Sequence, residues 1–332
     1  MSGWAAVVRV LEDGVTEGIY PGAVAAVAVD GELVFHEAVG LRSVVPTAAA
    51  NTLRTRYDLA SLTKPVVATL VARHRARHGL DLDAAPRGPT WKHLLGHASG
   101  WPAHRDYSAL PADQIPTAVW TEPLERPGGL RAVYSDLGYM ALGWSLEDLT
   151  GRRLDELVDA VRDELRLGEL AFGPSEEAAP TERCARRGLL VGAVHDPNAW
   201  ALGGVAGHAG LFGTAADVAA FGARLLHAVE RETALGKELA CFWGTPAASE
   251  PTTWRLGFDT PSLVGSSAGT RFGPRAVGHL GFTGTSLWLD PDARLSVALL
   301  SNRVHPEVVA NPAIRLLRPR FHDAVREALT GT

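Results

Sequence analysis

Two strand–turn–strand patterns, one near each end of the chain, constrain the fold most. Near the start, the apolar run AVAAVAV is followed by Asp30-Gly31 and then by ELVFHEAVG, and a two-residue Asp-Gly loop between such runs predicts a β-hairpin. Near the other end, SLWLD (286–290) and RLSVALLS (294–301) flank Pro291-Asp292-Ala293 and predict a second hairpin. Because hairpins pair antiparallel strands, we expect both ends to share one largely antiparallel sheet.

Apolar residues at helical spacing occupy much of the chain between the hairpins. This spacing predicts helices over 61–78, 91–97, 136–149, 153–165 and 215–230. Helices are also predicted over residues 3–18 and from Pro306 to Thr330, the latter interrupted near Pro312 and Pro319. We expect these two terminal helices to cover one face of the sheet.

The order of elements predicts an α/β (α+β) fold, in which terminal helices flank an antiparallel sheet and a mainly helical region is inserted. Residues 1–60 and 250–332 would form the sheet domain, and residues 61–249 the helical domain. The active site is expected in the cleft between them.

Composition excludes several classes of protein. Hydrophobic residues make up 46% and charged residues 21%, so disordered and fibrous architectures are excluded. Near the start, the longest apolar run, Ala23 to Val29, is far shorter than the roughly 20 residues of a membrane span. The first residues include acidic side chains and no long apolar segment, unlike a secretory signal, so we expect a cytoplasmic protein.

The charge and cysteine content argues against nucleic-acid partners and metal frameworks. The net charge is −5, and the one basic cluster, RHRARH at 73–78, is typical of a solvated helix face. Cys184 and Cys241 cannot supply a disulfide framework or a four-ligand zinc site. His93 and His97 have helical spacing, but Leu94 replaces the glutamate of the H-E-x-x-H pattern, and we expect them to bind helix-end carbonyls.

The strongest local signal for chemistry is DLASLTKPVVATLVARH, residues 58–74. Pro65 is tolerated only in the first helical turn and fixes a helix start near Ser61. Lys64 lies one turn further on the same face, within reach of the Ser61 hydroxyl. A lysine whose pKa is lowered by burial can take the proton of a serine nucleophile. The alternative is a helix-capping serine followed by an exposed lysine.

Two further segments add candidate residues. In VYSDLGYMALGW, Asp136 is placed to cap an apolar helix, and Tyr134 is either buried or a proton shuttle beside Ser61 and Lys64. In VGHLGFTGTSLWLDP, the glycines indicate close backbone approach, and His279 is either structural or able to orient a substrate.

These three elements, in this order, resemble the serine β-lactamase and penicillin-binding protein superfamily, in its class C β-lactamase, D-alanyl-D-alanine carboxypeptidase and esterase branch. The resemblance extends over nearly the whole chain and includes HLLGHASGWP (93–102) and HDPNAWALGGVAGHAGLFGT (195–214). It implies that Ser61 is acylated and that Lys64 and Tyr134 share the acid and base work. It also implies an oxyanion hole formed by the backbone N–H groups of Ser61 and Phe282.

Two departures from the family pattern concern substrate binding, which the resemblance assigns to Asp136, His279 and Gly281. The third motif is His279-Leu280-Gly281 instead of the more frequent Lys-Thr-Gly, so the cation is replaced by a histidine that can be neutral at pH 7. Asp136 stands where β-lactamases usually have Asn. Both changes weaken a β-lactamase interpretation and leave a hydrolase interpretation intact.

Two other motifs have less support. Gly265-Ser266-Ser267-Ala268-Gly269 matches the nucleophile elbow G-x-S-x-G, but the following residues TRFGPRAVG cannot form the required helix. The glycine-rich segment 202–214 lacks the dinucleotide pattern and is expected to form a tight loop beside the active site.

The sequence therefore predicts a serine hydrolase that cleaves a small ester or amide through an acyl-enzyme on Ser61, without metal or cofactor. The first alternative is a D-alanyl-D-alanine carboxypeptidase or β-lactamase, and a remote one is a catalytically silent binding protein on the same scaffold. The expected partner is a small-molecule or short peptide substrate.

Overall fold

The computed structural model describes residues 3–175, 177–308 and 312–331. Within them, the α-helices are α1 Gly3–Thr16, α2 Thr63–His78, α3 Trp91–Leu95, α4 Ile115–Trp120, α5 Asp136–Thr150, α6 Leu154–Leu165, α7 Pro197–Ala201, α8 Ala215–Glu230, α9 Ala234–Gly244 and α10 Ala313–Thr330. The strands are β1 Gly22–Val29, β2 Glu32–Ser43, β3 Ala49–Ala50, β4 Tyr57–Asp58, β5 Ala171–Phe172, β6 Arg183–Cys184, β7 Gly188–Leu189, β8 Leu211–Gly213, β9 Val277–Leu280, β10 Ser286–Asp290 and β11 Leu295–Ser301. None of these helices is long and apolar enough to cross a membrane.

Both predicted hairpins are present in one antiparallel sheet with strand order β3-β2-β1-β11-β10-β9. Asp30 and Gly31 join β1 to β2 with φ values of 52° and 87°, which is the backbone that a tight two-residue hairpin loop requires. At the centre of the sheet, β1 pairs with β11 from Ala23 opposite Ser301 to Val29 opposite Leu295.

The two faces of the sheet are covered by different helices, as the alternation along β1 requires. Ala23, Ala25 and Val27 pack with α1 and α10, so the predicted terminal helices do cover one face. Val24 and Ala26 belong to the core on the other face, where α8 packs closely against the sheet. A Cβ at Gly222 of α8 would lie 2.3 Å from Leu289 Cδ2, so this close approach depends on glycine.

The C-terminal helix differs from its prediction. The predicted start includes residues 309–311, which lie outside the described residues, and α10 begins immediately after Pro312. The predicted interruption at Pro319 is wrong, because α10 continues through it. Leu317 and Phe321, on either side, are fully buried against the sheet, and this packing outweighs the roughly 3 kcal/mol that an interior proline costs a helix.

The helical region supplies the opposite side of the cleft. Buried residues of α2 and α5, among them Val67, Val71, Leu137 and Met140, form one core with α8 and the sheet. The helices predicted at 61–78, 136–149, 153–165 and 215–230 are confirmed within a few residues at their ends. The division of the chain into 1–60 with 250–332 and 61–249 stays a prediction.

Candidate active site

Ser61 lies in a single 3-10 turn, Ala60–Leu62, that leads from β4 into α2. Ala60 has φ 49°, a left-handed conformation that costs a non-glycine residue about 1–3 kcal/mol and is often found at functional sites. The buried Asp58 carboxylate accepts a hydrogen bond from Ala60 N at 2.8 Å and one from His195 N at 2.6 Å. Asp58 thus fixes the backbone immediately before Ser61, which lies at the electropositive end of α2.

Lys64 is fully buried and its ammonium group is surrounded by oxygen atoms. Nζ lies 3.0 Å from Ser61 Oγ, 2.7 Å from Tyr134 Oη, 2.8 Å from Asp136 Oδ1 and 3.2 Å from the carbonyl oxygen of His208. An ammonium has three N–H donors for these four oxygens, so its protons are shared among them. The alternative of a capping serine followed by an exposed lysine is wrong for the lysine, because the side chain of Lys64 has no solvent exposure.

Tyr134 completes the contacts of Ser61, since its hydroxyl donates a 2.6 Å hydrogen bond to Ser61 Oγ. The next residue is held by Nδ1 of buried His97, which accepts a 3.1 Å hydrogen bond from Ser135 N. The rings of His97 and Trp254 pack against the ring of Tyr134. The expected bond from His97 to a helix-end carbonyl is therefore wrong for Nδ1, which positions the Tyr134 segment instead.

Asp136 does not cap α5 as predicted. Ser135 occupies the N-cap, and its hydroxyl accepts a hydrogen bond from the N–H of Gly138. The Asp136 carboxylate is therefore not used in the cap. Oδ1 of that carboxylate contacts Lys64, and Oδ2 lies 3.3 Å from Nδ1 of His104. Its predicted role in substrate binding stays a prediction, and both oxygens already have partners.

The charge state of Lys64 differs from the expectation of a lysine with lowered pKa. Burial acts to lower the pKa of Lys64, but the neighbouring Asp136 carboxylate and Tyr134 hydroxyl outweigh it and raise that pKa. Burial acts in the opposite direction on Asp136, whose pKa is nevertheless held below its ordinary value, chiefly by Lys64. The resting site therefore holds an ammonium–carboxylate ion pair. We call Ser61, Lys64, Tyr134 and Asp136 the helix wall.

The opposite side of the cleft, the strand wall, comprises His279, Gly281, Phe282 and Arg303. The turn Gly281–Gly284 closes with a 3.2 Å bond from Gly284 N to Gly281 O. Thr283 Oγ1 donates to Asp58 O at 2.8 Å, and Thr285 Oγ1 donates to Leu59 O at 3.1 Å. These two bonds attach the turn to the residues immediately before Ser61 and so place Phe282 beside the helix wall.

The two N–H groups predicted for the oxyanion hole are in positions that leave donors free. The N–H of Phe282 follows the first residue of a β-turn, and no backbone acceptor receives it among the described residues. The N–H of Ser61 is in the first turn of a helix, where backbone donors have no intrahelical acceptor. Gly281 has no such freedom, because its N–H bonds Thr285 O at 2.8 Å and its carbonyl accepts from Arg318.

His279 is only 2% exposed and is neutral. Burial, with the nearby charge of Lys64, lowers the pKa of His279 to about 3. Nδ1 lies 2.8 Å from Leu280 O, whereas Nε2 is buried and has no hydrogen-bond partner among the described residues. The strand wall therefore carries no positive charge at the position of the family's usual lysine.

The two walls enclose a cleft of about 870 Å³. Its lining contains polar groups that the sequence did not single out: His104, His195, Asp196, His208 and Trp254. His208 belongs to the glycine-rich segment 202–214 expected beside the active site, and its Nε2 lies 2.8 Å from Asp196 Oδ1 at one side of the cleft. Within the described residues, no three His, Cys, Asp or Glu side chains are grouped to hold a metal ion.

The competing nucleophile elbow is not formed. Gly265, Ser267 and their neighbours lie in a loop that also lines the cleft, and the structure has neither a strand before this loop nor a helix directly after it in the range 245–276. Cys184 is partly buried and Cys241 is exposed, and both are free thiols.

Comparisons with known proteins identify the family to which the chain belongs. The sequence model of the Beta-lactamase family matches residues 7–319. The chain is 30% identical to an N-acetylmuramyl-L-alanine amidase of Bacillus subtilis (strain 168), over 87% of this chain and 79% of that protein. It is also 30% identical to a protein of Escherichia coli (strain K12) named "Putative D-alanyl-D-alanine carboxypeptidase", over 65% of this chain but only 57% of that protein.

Solved structures share the fold. The hydrolase EstCE1, described as having promiscuous acyltransferase activity, has a TM-score of 0.78 at 22% identity, over 98% of both chains. An octameric penicillin-binding protein homologue from Pyrococcus abyssi has a TM-score of 0.72 at 19% identity, over 98% of this chain and 77% of that chain. The fold and the family match define a serine hydrolase. The chain belongs to the Beta-lactamase family.

Proposed function

We propose that this hydrolase cleaves a small ester or amide through a covalent acyl-enzyme on Ser61. The proposal rests on two hydrogen bonds that Ser61 Oγ accepts in the cleft. Tyr134 Oη donates one at 2.6 Å, and Lys64 Nζ donates the other at 3.0 Å. A serine hydroxyl becomes a useful nucleophile only when a neighbouring base takes its proton.

The ion pair suggests how that proton moves. As Ser61 Oγ bonds to the substrate carbonyl carbon, its proton passes to Lys64 Nζ, and Lys64 passes one of its own to Asp136 Oδ1, 2.8 Å away. Lys64 remains an ammonium and the Asp136 carboxylate becomes neutral, so charge is conserved while the carbonyl oxygen becomes an oxyanion. The N–H groups of Ser61 and Phe282 would bind that oxyanion, and each such donor is worth roughly 10²–10³ in rate.

Collapse of this intermediate requires a proton for the leaving group. The Tyr134 hydroxyl, next to Ser61 Oγ, is placed to give its proton, to be reprotonated by Lys64 at 2.7 Å and, through Lys64, by Asp136. Water then attacks the acyl-enzyme by the reverse proton route and releases the acid. Acid and base catalysis of this kind contributes about 10²–10⁴ in rate.

The experiment is intact mass spectrometry after exposure to a fluorophosphonate, with hydrolysis of 4-nitrophenyl acetate measured in parallel. We expect the wild type to gain one adduct and to hydrolyse the ester, and Ser61→Ala to lose both. Ser267→Ala is the matched control, because Ser267 lines the same cleft outside the helix wall. Labelling that persists in Ser61→Ala, or the absence of adduct and turnover in the wild type, would contradict the proposal.

The second candidate is a D-alanyl-D-alanine carboxypeptidase, which the names of the E. coli relative and others like it favour. It predicts release of D-alanine from a peptide ending in D-Ala-D-Ala and a stable adduct with penicillin on Ser61. Ester hydrolysis without either result would favour the first candidate.

A further inference from the structure

A second cavity, of about 550 Å³, lies in the helical region and is separate from the catalytic cleft. It is bounded by α2, the end of α6, α8 and the start of α9, and it shares no described lining residue with the cleft. Four arginines line it: Arg73 and Arg77 of α2, Arg166 at the end of α6, and Arg224 of α8. Among the described lining residues, only Glu164 is acidic. The cavity therefore has an excess of positive charge.

Arg73 and Arg77 are held together by a shared carboxylate oxygen. Arg73 Nε lies 2.7 Å from Glu164 Oε2, and Arg77 Nη2 lies 2.9 Å from the same oxygen. Both arginines belong to the RHRARH cluster, but the side chain of Arg73 is only 19% exposed, unlike that of a solvated helix face. One carboxylate balances one of the two charges, and each guanidinium has five N–H donors. Most of these donors are therefore available to a ligand.

Arg166 and Arg224 have no counter-charge. Neither side chain forms a hydrogen bond or an ion pair with another described residue. The helix dipole stabilises a basic residue at a helix C-terminus, which accounts for Arg166 as the C-cap of α6. This effect falls off within the last turn and does not reach Arg224, which lies more than one turn before the end of α8. The described contacts give Arg224 no structural role.

The rest of the lining is partly apolar and includes the start of a helix. Ala76, Leu165, Ala228 and Leu235 line the cavity, and the two leucines also pack against the main core. Ala234, the first residue of α9, is part of the same lining. Backbone N–H groups of a first helical turn have no intrahelical acceptor and add to the attraction for an anion. The cavity therefore suits an anion that carries an organic group.

We propose that this cavity binds a small organic phosphate through Arg166, Arg224 and the available donors of Arg73 and Arg77. Guanidinium groups bind phosphate oxygens through paired N–H donors. A phosphate dianion can balance two guanidinium groups, whereas a carboxylate carries a single charge. The cavity volume is within the range of roughly 300–1,000 Å³ of small-molecule sites. The inference goes beyond the proposed hydrolase function, because the cavity and the cleft have no described lining residue in common.

The test compares two probes with the same ring and different charge. The wild type is titrated with phenyl phosphate and with benzenesulfonate by isothermal titration calorimetry, at pH 8 and constant ionic strength. At this pH a phosphate monoester carries close to two negative charges, because its second pKa is about 6, whereas the sulfonate carries one. We expect one phenyl phosphate to bind per chain, at least fivefold more tightly than benzenesulfonate.

Removal of the unpaired arginines should weaken this binding. Arg166→Gln and Arg224→Gln should each raise the Kd of phenyl phosphate about tenfold, because each removes a charge-assisted contact. Both side chains are exposed, so we expect the double variant to fold. The matched control is Arg162→Gln/Arg231→Gln, which makes the same change in net charge at residues outside the lining. Arg162 is already paired with two carboxylates, and we expect the control to bind as the wild type does.

The outcomes are distinguishable from those of the hydrolase experiment. Binding that is unchanged in Arg166→Gln/Arg224→Gln would overturn the proposal, because the probe would then occupy another site. An equal loss in the control would overturn it as well, since it would report net charge only. Equal affinity for the two probes, or no binding of phenyl phosphate at millimolar concentrations, would also contradict it. Hydrolysis of 4-nitrophenyl acetate should be the same in the double variant and the wild type, so failure of the proposed function leaves this test intact.

Discussion

The helix wall and the strand wall of the cleft treat their polar groups in opposite ways. On the helix wall, the charged Lys64 is buried and donates hydrogen bonds to Ser61, Tyr134 and Asp136. On the strand wall, the N–H of Phe282 and the guanidinium of Arg303 have no hydrogen-bond acceptor among the described residues. The first arrangement keeps reacting atoms in place before substrate arrives, and the second leaves donors for the substrate to occupy.

The two walls therefore have different tasks: the hydrogen-bonded groups of the helix wall carry out the chemistry, and the unpaired donors of the strand wall bind the substrate. A buried ion pair costs desolvation and is retained where its geometry is useful. Unpaired donors that line an open cleft cost less free energy, because water molecules accept their hydrogen bonds when no substrate is bound. Substitutions on the helix wall should therefore change the rate of chemistry, and those on the strand wall should change which substrates react.

The largest expected effect comes from breaking the ion pair. Lys64→Ala should lower kcat/KM for 4-nitrophenyl acetate by about 10³–10⁴, because it removes the base. It should also lower the free energy of unfolding by about 3 kcal/mol, because the largely buried Asp136 carboxylate loses its ammonium partner. Chemical denaturation and initial rates measure both.

A double variant separates these two effects. In Lys64→Ala/Asp136→Asn neither charge of this ion pair remains, so we expect most of the stability to return while activity stays lost. Substantial activity in either variant would refute the role of Lys64 as base.

Asp136→Asn should change the pH dependence. In the wild type the ion pair persists well below neutral pH, because the pKa of Asp136 is held below its ordinary value. Without the carboxylate, Lys64 has to lose its proton to solvent before it can accept that of Ser61, so kcat/KM rises only as pH passes through the pKa of Lys64. The acid limb should move to higher pH, with a loss of about 10–10² at pH 5.

Profiles of kcat/KM from pH 4 to pH 9 measure this shift. An acid limb that moves to lower pH in Asp136→Asn would contradict the proton relay. It would mean that the wild type reacts through a neutral Lys64 and that the only effect of Asp136 is to raise the pKa of that lysine.

A moderate effect is expected where the two walls are joined. Thr283→Val keeps the shape of the side chain but removes the hydroxyl that bonds Asp58 O at 2.8 Å. Phe282 N should then be less well placed, and we expect kcat for a neutral ester to fall about tenfold with little change in KM. Serine at the same position, which retains the hydroxyl, should keep most of the rate; an equal loss in Thr283→Ser would point to packing.

The smallest effect should come from the loop between 262 and 269. Ser267→Ala should alter kcat/KM by less than threefold, because only the backbone oxygen of Ser267 has a described role, as acceptor for His322. Initial rates with 4-nitrophenyl acetate measure it. A collapse of activity here, with Ser61→Ala still active, would restore the nucleophile-elbow interpretation.

The parts of this arrangement that could be predicted from the sequence are local. The loop Asp30-Gly31 determines a hairpin through its own backbone preferences, and Ser61 and Lys64 share a helix face because they are three residues apart. The role of Tyr134 came from family resemblance, and its contact with Ser61 joins residues 73 positions apart.

The parts that could not be predicted depend on distant partners. The raised pKa of Lys64 is due to Asp136, 72 residues further along the chain, and spacing alone does not distinguish that ion pair from a helix cap. His104 and Trp254 reach the cleft from irregular loops without periodic patterns. The position of the Arg303 guanidinium, 4.9 Å from the ring centroid of Phe282, is visible only once the ends of β9 and β11 are brought together.

The pairing of β1 with β11 has a consequence for biosynthesis. Ala23 pairs with Ser301, so the middle of the sheet cannot form until residue 301 has been synthesised. The core around the sheet is therefore incomplete during most of translation. At about 5–20 residues per second, the ribosome needs roughly 14–55 s to make the intervening segment. During that time the apolar hairpin of β1 and β2 has no permanent cover, and it is the segment on which a chaperone would have the longest opportunity to act.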